Sequence, residues 1–228
     1  MMNKSQARQF VWSQLYDVAR PDSRFHYDFN EYIPDFVGSD RATDRLRKMA
    51  LYQEVGMVFV TPDNCLEKLR EYVLKDGKTQ VVPTYGIRRG FVELVPGEVP
   101  ETVAHYAVLL DVMEKVGRSI SLSALKERQI QFDWLVTGAS AVNKEGIRFG
   151  KGHGFFDLEW AMLYEVGAVD EATPVIAFVH DCQVVDVDLE LTPFDTVCDY
   201  IVTPSQTIEV GNPQKPTQGV IWGKLEPD

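Results

Sequence analysis

The chain has 228 residues, 45% hydrophobic and 25% charged, with a formal net charge of −11. That is the size and balance of a single globular domain with enough chain to bury a substantial core. The acidic balance opposes a nucleic-acid partner, which needs a positive field, and no run of about 18 apolar residues is present to cross a membrane.

From the N-terminus, Lys4 to Val18 reads as an amphipathic helix. Phe10, Val11, Leu15 and Val18 share a face, and Lys4 and Arg8 lie one turn apart. Residues 19–40 read as loop, with Pro21, Pro34 and the aromatic side chains Phe25, Tyr27, Phe29, Tyr32 and Phe36. Asp40 is placed to cap a helix through Arg41–Val55 that Gly56 ends. Met57–Thr61 predicts a strand, Cys65–Leu74 a helix and Asp76-Gly77 a turn. Thr79–Pro83 and Gly90–Val95 predict two further strands, and His105–Val116 a helix closed by Gly117. Phe132–Gly138 reads as a buried strand, Phe155–Val166 as a helix, and Thr173–Val179 and Tyr200–Thr203 as strands. Strands alternating with helices imply a mostly parallel sheet covered on both faces. The expected organisation is one α/β domain over residues 1–210. A tail over 211–228 follows, extended on the surface and anchored by Ile221 and Trp222.

Ligands of open α/β sheets sit beyond the carboxyl ends of the strands. The order strand, loop, helix puts Arg148–Asp157 there. The loop His180-Asp-Cys-Gln183 follows another strand, and both are expected to open on one crevice. The first of these, Arg148-Phe-Gly-Lys-Gly-His-Gly-Phe-Phe-Asp157, is the most informative stretch. Alternating glycines let successive backbone N–H groups turn toward one point, and the helix that follows adds unpaired N–H groups and its positive end. Arg148 and Lys151 add full charge, and Asp157 can hold a divalent cation. Together these residues make a phosphate-and-metal cradle and point first to an ATP-using enzyme. The spacing is neither a Walker A loop nor the dinucleotide fingerprint, and a plain tight connection is the alternative.

Three cysteines, Cys65, Cys182 and Cys198, match neither a metal spacing nor an even-numbered disulfide framework. The N-terminal residues lack the apolar stretch of a secretory signal, so a reducing cytoplasm is the expected compartment.

The same residues resemble the 5-formyltetrahydrofolate cyclo-ligase (methenyltetrahydrofolate synthetase) family. Its signature Gly-x-Arg-Leu-Gly-x-Gly-x-Gly-Tyr-Tyr-Asp is matched by Gly146-Ile-Arg148-Phe-Gly150-Lys-Gly152-His-Gly154-Phe-Phe-Asp157. Lys4 and Arg8 match the family's N-terminal Lys-x-x-x-Arg. Ala177-Phe178 through Gln183 resembles its Ala-Phe-x-x-x-Gln stretch, and Asp195 its late aspartate. The resemblance implies a three-layer α/β/α fold of Rossmann-like, cyclo-ligase type and an ATP- and magnesium-dependent reaction. Carried over by position, Lys4, Arg8, Arg148, Lys151 and His153, with the N–H groups of Gly150, Gly152 and Gly154, would contact ATP. Lys151 and Arg148 would act at the transferred phosphate, Asp157 and Asp195 would hold Mg2+, and Phe155, Phe156 and Gln183 would meet the substrate. Read without the resemblance, Lys4 and Arg8 fit a solvated helix face, Asp157 a helix-start residue and Asp195 a turn residue. His153 and His180 then read as structural histidines.

The substrate side departs from the family. Tyr-Tyr becomes Phe155-Phe156, the aspartate of its Pro-Gly-x-x-Phe-Asp turn becomes Asn143, and its Glu-x-x-Thr stretch has no counterpart in Thr61–Cys65. This pattern resembles a divergent branch that includes the cyclo-ligase-like domain of animal proteins carrying an added RNA-recognition domain. No such added domain is expected in these 228 residues. The first expectation is an enzyme closing 5-formyltetrahydrofolate to the 5,10-methenyl form. The alternatives are an ATP-dependent paralogue acting on another formamide, in thiamin salvage, and a non-catalytic nucleotide- or folate-binding module. In each case the partner is a small molecule, with neither nucleic acid nor membrane involved.

Overall fold

The computed structural model describes residues 4–54 and 56–224. Helix α1 (Lys4–Leu15) buries Ala7, Val11 and Leu15, each four residues from the last and therefore on one face. α2 (Ser39–Arg47) begins after Gly38, whose φ of 89° is left-handed. Asp40, expected as the cap, lies instead in the first turn, where its charge suits the helix dipole. The single helix expected through Arg41–Val55 is broken, because Met49 is extended before α3 (Ala50–Gln53) resumes. Val55 itself lies outside the described residues.

β1 (Met57–Val60) is followed by a 3-10 turn at Asn64–Leu66 and by α4 (Glu67–Lys75). β2 (Thr79–Pro83) and β3 (Phe91–Leu94) come next. The helix expected over His105–Val116 is split into α5 (Ala104–Ala107) and α6 (Met113–Val116). Ala104, Ala107 and Val108 are buried, but the stripe meets Asp111 where it should continue, and Asp111 turns outward to Arg24. β4 (Arg118–Ile120) and α7 (Leu122–Glu127), the latter capped by the Ser121 side chain, have no counterpart in the sequence reading. The chain then runs through β5 (Trp134–Thr137), β6 (Ala141–Asn143), β7 (Arg148–Phe149) and α8 (Phe155–Glu165). β8 (Val175–Phe178), β9 (Val184–Val185), β10 (Tyr200–Val202) and β11 (Thr207–Glu209) complete it.

Among the described residues, one sheet has eight strands in the order β11-β10-β8-β5-β1-β2-β3-β4. The central run from β10 to β2 is parallel, and β11, β3 and β4 are antiparallel additions at the edges. Alternate residues of the central strands face opposite ways. Phe59, Val81, Leu135 and Ala177 pack with Phe156, Trp160 and Leu163 of α8. Val58, Val60, Trp134, Val136 and Ile176 pack with Leu46 of α2 and Leu69 and Val73 of α4. Two apolar faces, each covered by helices, make the expected three-layer α/β/α arrangement with a mostly parallel sheet.

A small sheet, β7-β6-β9, stands apart. α1 covers it, with Ala7, Val11 and Leu15 against Ala141, Phe149 and Val185. The tail is not anchored by Trp222, which is 73% exposed. Instead Lys215 reaches Asp199 at 2.7 Å, and Trp160 Nε1 donates to the Pro216 carbonyl at 2.9 Å, strapping the tail across α8.

Candidate functional site

From β1 the sheet grows both ways, to β2 on one side and to β5 and β8 on the other. Loops leaving adjacent strands at such a point diverge and leave a crevice at the carboxyl end. Here a cleft is lined by Thr61–Asn64 after β1, Thr84–Gly86 after β2, Thr137-Gly138 after β5 and part of the glycine loop. Phe25, Glu31 and Tyr32, from the aromatic segment 25–36, wall it from above. The expected second loop is not part of it: His180–Gln183 packs against α1 and does not line the cleft.

The glycine loop is held out from the body by the β6–β7 hairpin, in which Arg148 pairs with Val142. Gly152 has φ 121° and Gly154 has φ 66°, conformations that a side chain would strain. The backbone N–H groups of Gly150 through Gly154 donate to no acceptor among the described residues, so this stretch offers a run of open donors. Gly154 then begins α8, adding that helix's positive end. Arg8 stands beside the loop. A Cβ at Gly152 would lie 3.4 Å from its Nη1, and its guanidinium covers the Phe149 ring at 5.7 Å. Lys4 opens the same helix, but its side chain lies outside the described residues.

Lys151 points into the cleft, donating to the Glu31 carbonyl at 2.8 Å, with the Tyr85 ring 5.2 Å away. Burial lowers its ammonium below the ordinary lysine value, against the fields of Asp63, Glu31 and Glu159. Among the described residues this cation meets a carbonyl and the Tyr85 and Phe155 rings and forms no ion pair, so it is available for a phosphate. Arg148 is not so placed. Its side chain is 3% exposed and bonds Asp157 at 2.8 Å, stacking on Phe156 at 4.2 Å from the ring centroid. It therefore supports Asp157 instead of lying open on the loop surface.

Asp157 receives Arg148 and the Thr196 N–H, at 3.0 Å, on the same Oδ1. Burial raises this carboxyl above its ordinary value, partly offset by Arg148, and the field of Asp195 raises it further. The two aspartates expected to share an ion are therefore neighbours, and Asp195 is itself oriented by the Thr192 N–H at 2.7 Å. Among the described residues, no group of three or more His, Cys, Asp or Glu side chains is arranged for a metal. A pair of carboxylates nonetheless fits magnesium, which keeps water and takes one or two carboxylates together with substrate phosphates.

Of the expected substrate contacts, Phe155 and Phe156 line the cleft and Gln183 does not. Gln183 is 1% exposed, donates to the Ala139 carbonyl at 2.5 Å and accepts the His180 N–H, so its amide ties loops together. His153 lines the cleft beside Phe155, whereas His180 caps its own turn by accepting the Cys182 N–H. Among the cleft residues that escaped the sequence reading are two acids and Tyr85. Asp63 accepts from Thr61 Oγ1 and the Gly138 N–H on one oxygen. Glu159, 3% exposed, is held well above the ordinary carboxylate range by burial and by Asp63. Glu159 was detectable in principle, as an acid on the apolar face of α8.

These features define an α/β protein with an open glycine loop beside a cleft at the switch point of its sheet. The chain belongs to the 5-formyltetrahydrofolate cyclo-ligase family, which it matches over residues 1–204. It is 33% identical over 228 residues to a human methenyltetrahydrofolate synthase domain-containing protein, covering 98% of this chain and 58% of that one. The zebrafish (Danio rerio) protein of the same name is 33% identical over 226 residues, covering 97% and 57%. The chain thus spans a little over half the length of these relatives. The fold is shared with Aquifex aeolicus 5,10-methenyltetrahydrofolate synthetase, solved by NMR, at a TM-score of 0.57 and 16% identity, over 94% of this chain and 96% of that one. Among the described residues, no helix is long and apolar enough to cross a membrane.

Proposed function

We propose that this chain is an ATP- and magnesium-dependent cyclo-ligase that acts on 5-formyltetrahydrofolate. The observation that carries the reading is the meeting of two surfaces: open N–H groups of Gly150–Gly154 with Arg8 on one side, and the aromatic cleft with Lys151 on the other. Family membership and the names of the relatives support it.

A formamide oxygen is a poor leaving group. ATP would transfer its γ-phosphoryl group to that oxygen, ADP leaving, to make it a good one, and magnesium would offset charge on the phosphates. The protein's part is positioning and electrostatics. The glycine-loop N–H groups, with Arg8 and Lys4 on α1, hold the phosphate chain. Lys151 leaves the Glu31 carbonyl for the transferred phosphate, and Arg148 fixes Asp157 so that it and Asp195 face the ion. Phe25, Tyr85 and Phe155 exclude water while the substrate's neighbouring amine attacks the activated carbon. The C–O bond to phosphate then breaks as the new C–N bond closes the ring, and the amine's proton passes to solvent.

The test is to incubate the protein with ATP, magnesium and 5-formyltetrahydrofolate and to record methenyl-product absorbance. Product should form, and Lys151→Ala should weaken ATP-analogue binding about tenfold by removing one charge-assisted phosphate contact. No product at high enzyme concentration, with ATP binding intact, rejects the folate substrate. Unchanged nucleotide affinity in Lys151→Ala rejects the loop assignment.

The second reading, the same chemistry on a formylated pyrimidine, draws on the altered cleft. Phe155 and Phe156 bring no hydroxyl, and Asp63 and Glu159 add carboxyls. Changes of this kind in buried polar contacts shift specificity by orders of magnitude.

A further inference from the structure

Glu159 is left without a role by the reaction as outlined. It lines the cleft, its side chain is nearly inaccessible, and its Oε2 has no hydrogen-bond partner among the described residues. A buried carboxyl in that condition costs stability, and leucine would fill the same volume without the cost. Stability therefore does not account for an acid here.

What surrounds Glu159 defines what would satisfy it. Asp63, on the loop after β1, and Asp157 bring negative charge to it, Arg148 and Lys151 bring positive charge, and Asp63, Arg148, Lys151 and Asp157 line the same cleft. Asp63 is fixed through Oδ2 by Thr61 and Gly138, and among the described residues no hydrogen bond falls on its Oδ1. The cleft walls are flat: the Phe25 and Tyr85 rings stack at 5.9 Å and 19°, and Phe155 faces the same space. A carboxyl keeps an acceptor oxygen in either protonation state. Two such groups in a cleft lined by aromatic rings suit a flat ring that presents N–H groups at its edge.

We infer that Glu159 is a specificity-determining residue that, with Asp63, binds the N–H-bearing edge of an amino-substituted planar nitrogen heterocycle. The inference rests on the cleft being the substrate site proposed above. A reduced pterin and a formylated aminopyrimidine both carry such an edge, so the shared chemistry is the assignment and the experiment separates the sources.

Binding is measured by calorimetry with a non-hydrolysable ATP analogue and magnesium present. The two probes are 5-formyltetrahydrofolate and an N-formyl aminomethyl-aminopyrimidine, tested on wild type, Glu159→Leu and Glu159→Gln. Wild type should bind one probe, which names the source. Glu159→Leu should lose about 10- to 100-fold in affinity for it, as expected when a buried hydrogen bond to a ligand is left unmade. Glu159→Gln, which keeps a carbonyl oxygen in the same place, should recover most of that loss. Nucleotide affinity should stay within about twofold in all three, and the melting temperature of Glu159→Leu should equal or exceed that of wild type. Equal affinity of Glu159→Leu and wild type, or binding of neither probe by wild type, overturns the inference. A lower melting temperature without an affinity change assigns Glu159 a structural part and overturns it too. Loss of nucleotide binding in wild type would instead count against the proposed function.

Discussion

Arg148 and Asp157 show how one residue pair serves both stability and the site. The arginine is buried, and among the described residues its Nε lacks a partner and its ion pair is with Asp157 Oδ1. The aspartate keeps part of its surface exposed and has Asp195 nearby. Neutralising Asp157 therefore strands a cation in a low-dielectric place, a change that costs about 3 kcal/mol or more when a buried pair is broken from one side. Asp157→Asn is expected to lower unfolding free energy in urea by that amount. Adding Arg148→Met removes the stranded charge and should restore part of it, a non-additivity that a double-mutant cycle reads directly. Magnesium dependence of nucleotide binding should be lost in both variants. Additive effects, or full magnesium dependence in Asp157→Asn, would separate the pair from the ion.

At the scale of elements, α4 aims the β1 exit loop into the cleft. Arg70 is fully buried and donates to the carbonyls of Thr61, Asp63 and Val108, locking that loop to the helix. At the next residue, burial alone would raise the Glu71 carboxyl, but hydrogen bonds from Lys75 and Lys68 outweigh it and bring it to about 2. The folded-state value is below the unfolded one, so the stabilisation is complete above about 4.5 and is lost as pH falls toward about 2. With allowance for the partly exposed lysines, it is on the order of 2 kcal/mol. Glu71→Gln should therefore be less stable than wild type at pH 7 and nearly equal to it near pH 2, in denaturant titrations at both. A constant difference would assign the loss to packing.

The same elements explain what the sequence made readable. β1, β2, β5 and β8 are apolar runs bounded by turn residues, and their periodicity is local, so the parallel centre and its helices were legible. β4 is the three residues Arg-Ser-Ile at an edge, and β6, β7 and β9 are two or three residues long. Strands that short carry no period; their partners create them. The site divides along the same line. Glycine alternation is contiguous in sequence, and the loop was legible from it. The cleft joins Phe25, Asp63, Tyr85 and Glu159, which only the sheet order brings together. Gln183 matched a family motif, yet its neighbours in space are backbone carbonyls, which a one-dimensional motif does not register.

For the whole molecule, the candidate site is a junction. The glycine loop belongs to the small sheet, Arg8 and Lys4 to α1, Asp157 to α8 against the main sheet, and Asp195 to the segment before β10. A nucleotide spanning them would bridge several elements at once, and binding to the folded state alone raises stability by mass action. At a ligand concentration 100 times its dissociation constant the gain is about 2.7 kcal/mol. For a chain of this length each kcal/mol moves the melting temperature by roughly 2–4 °C. ATP with magnesium should therefore raise the melting temperature by roughly 5–10 °C, and Lys151→Ala should show a smaller rise at the same nucleotide concentration. An RNA oligomer offers the same phosphates but meets a surface of net charge −11, and should give no rise at moderate salt. A rise with RNA equal to that with ATP would mean that the anion site is open and unselective. No rise with ATP would mean that the glycine loop is only a connection between β7 and α8.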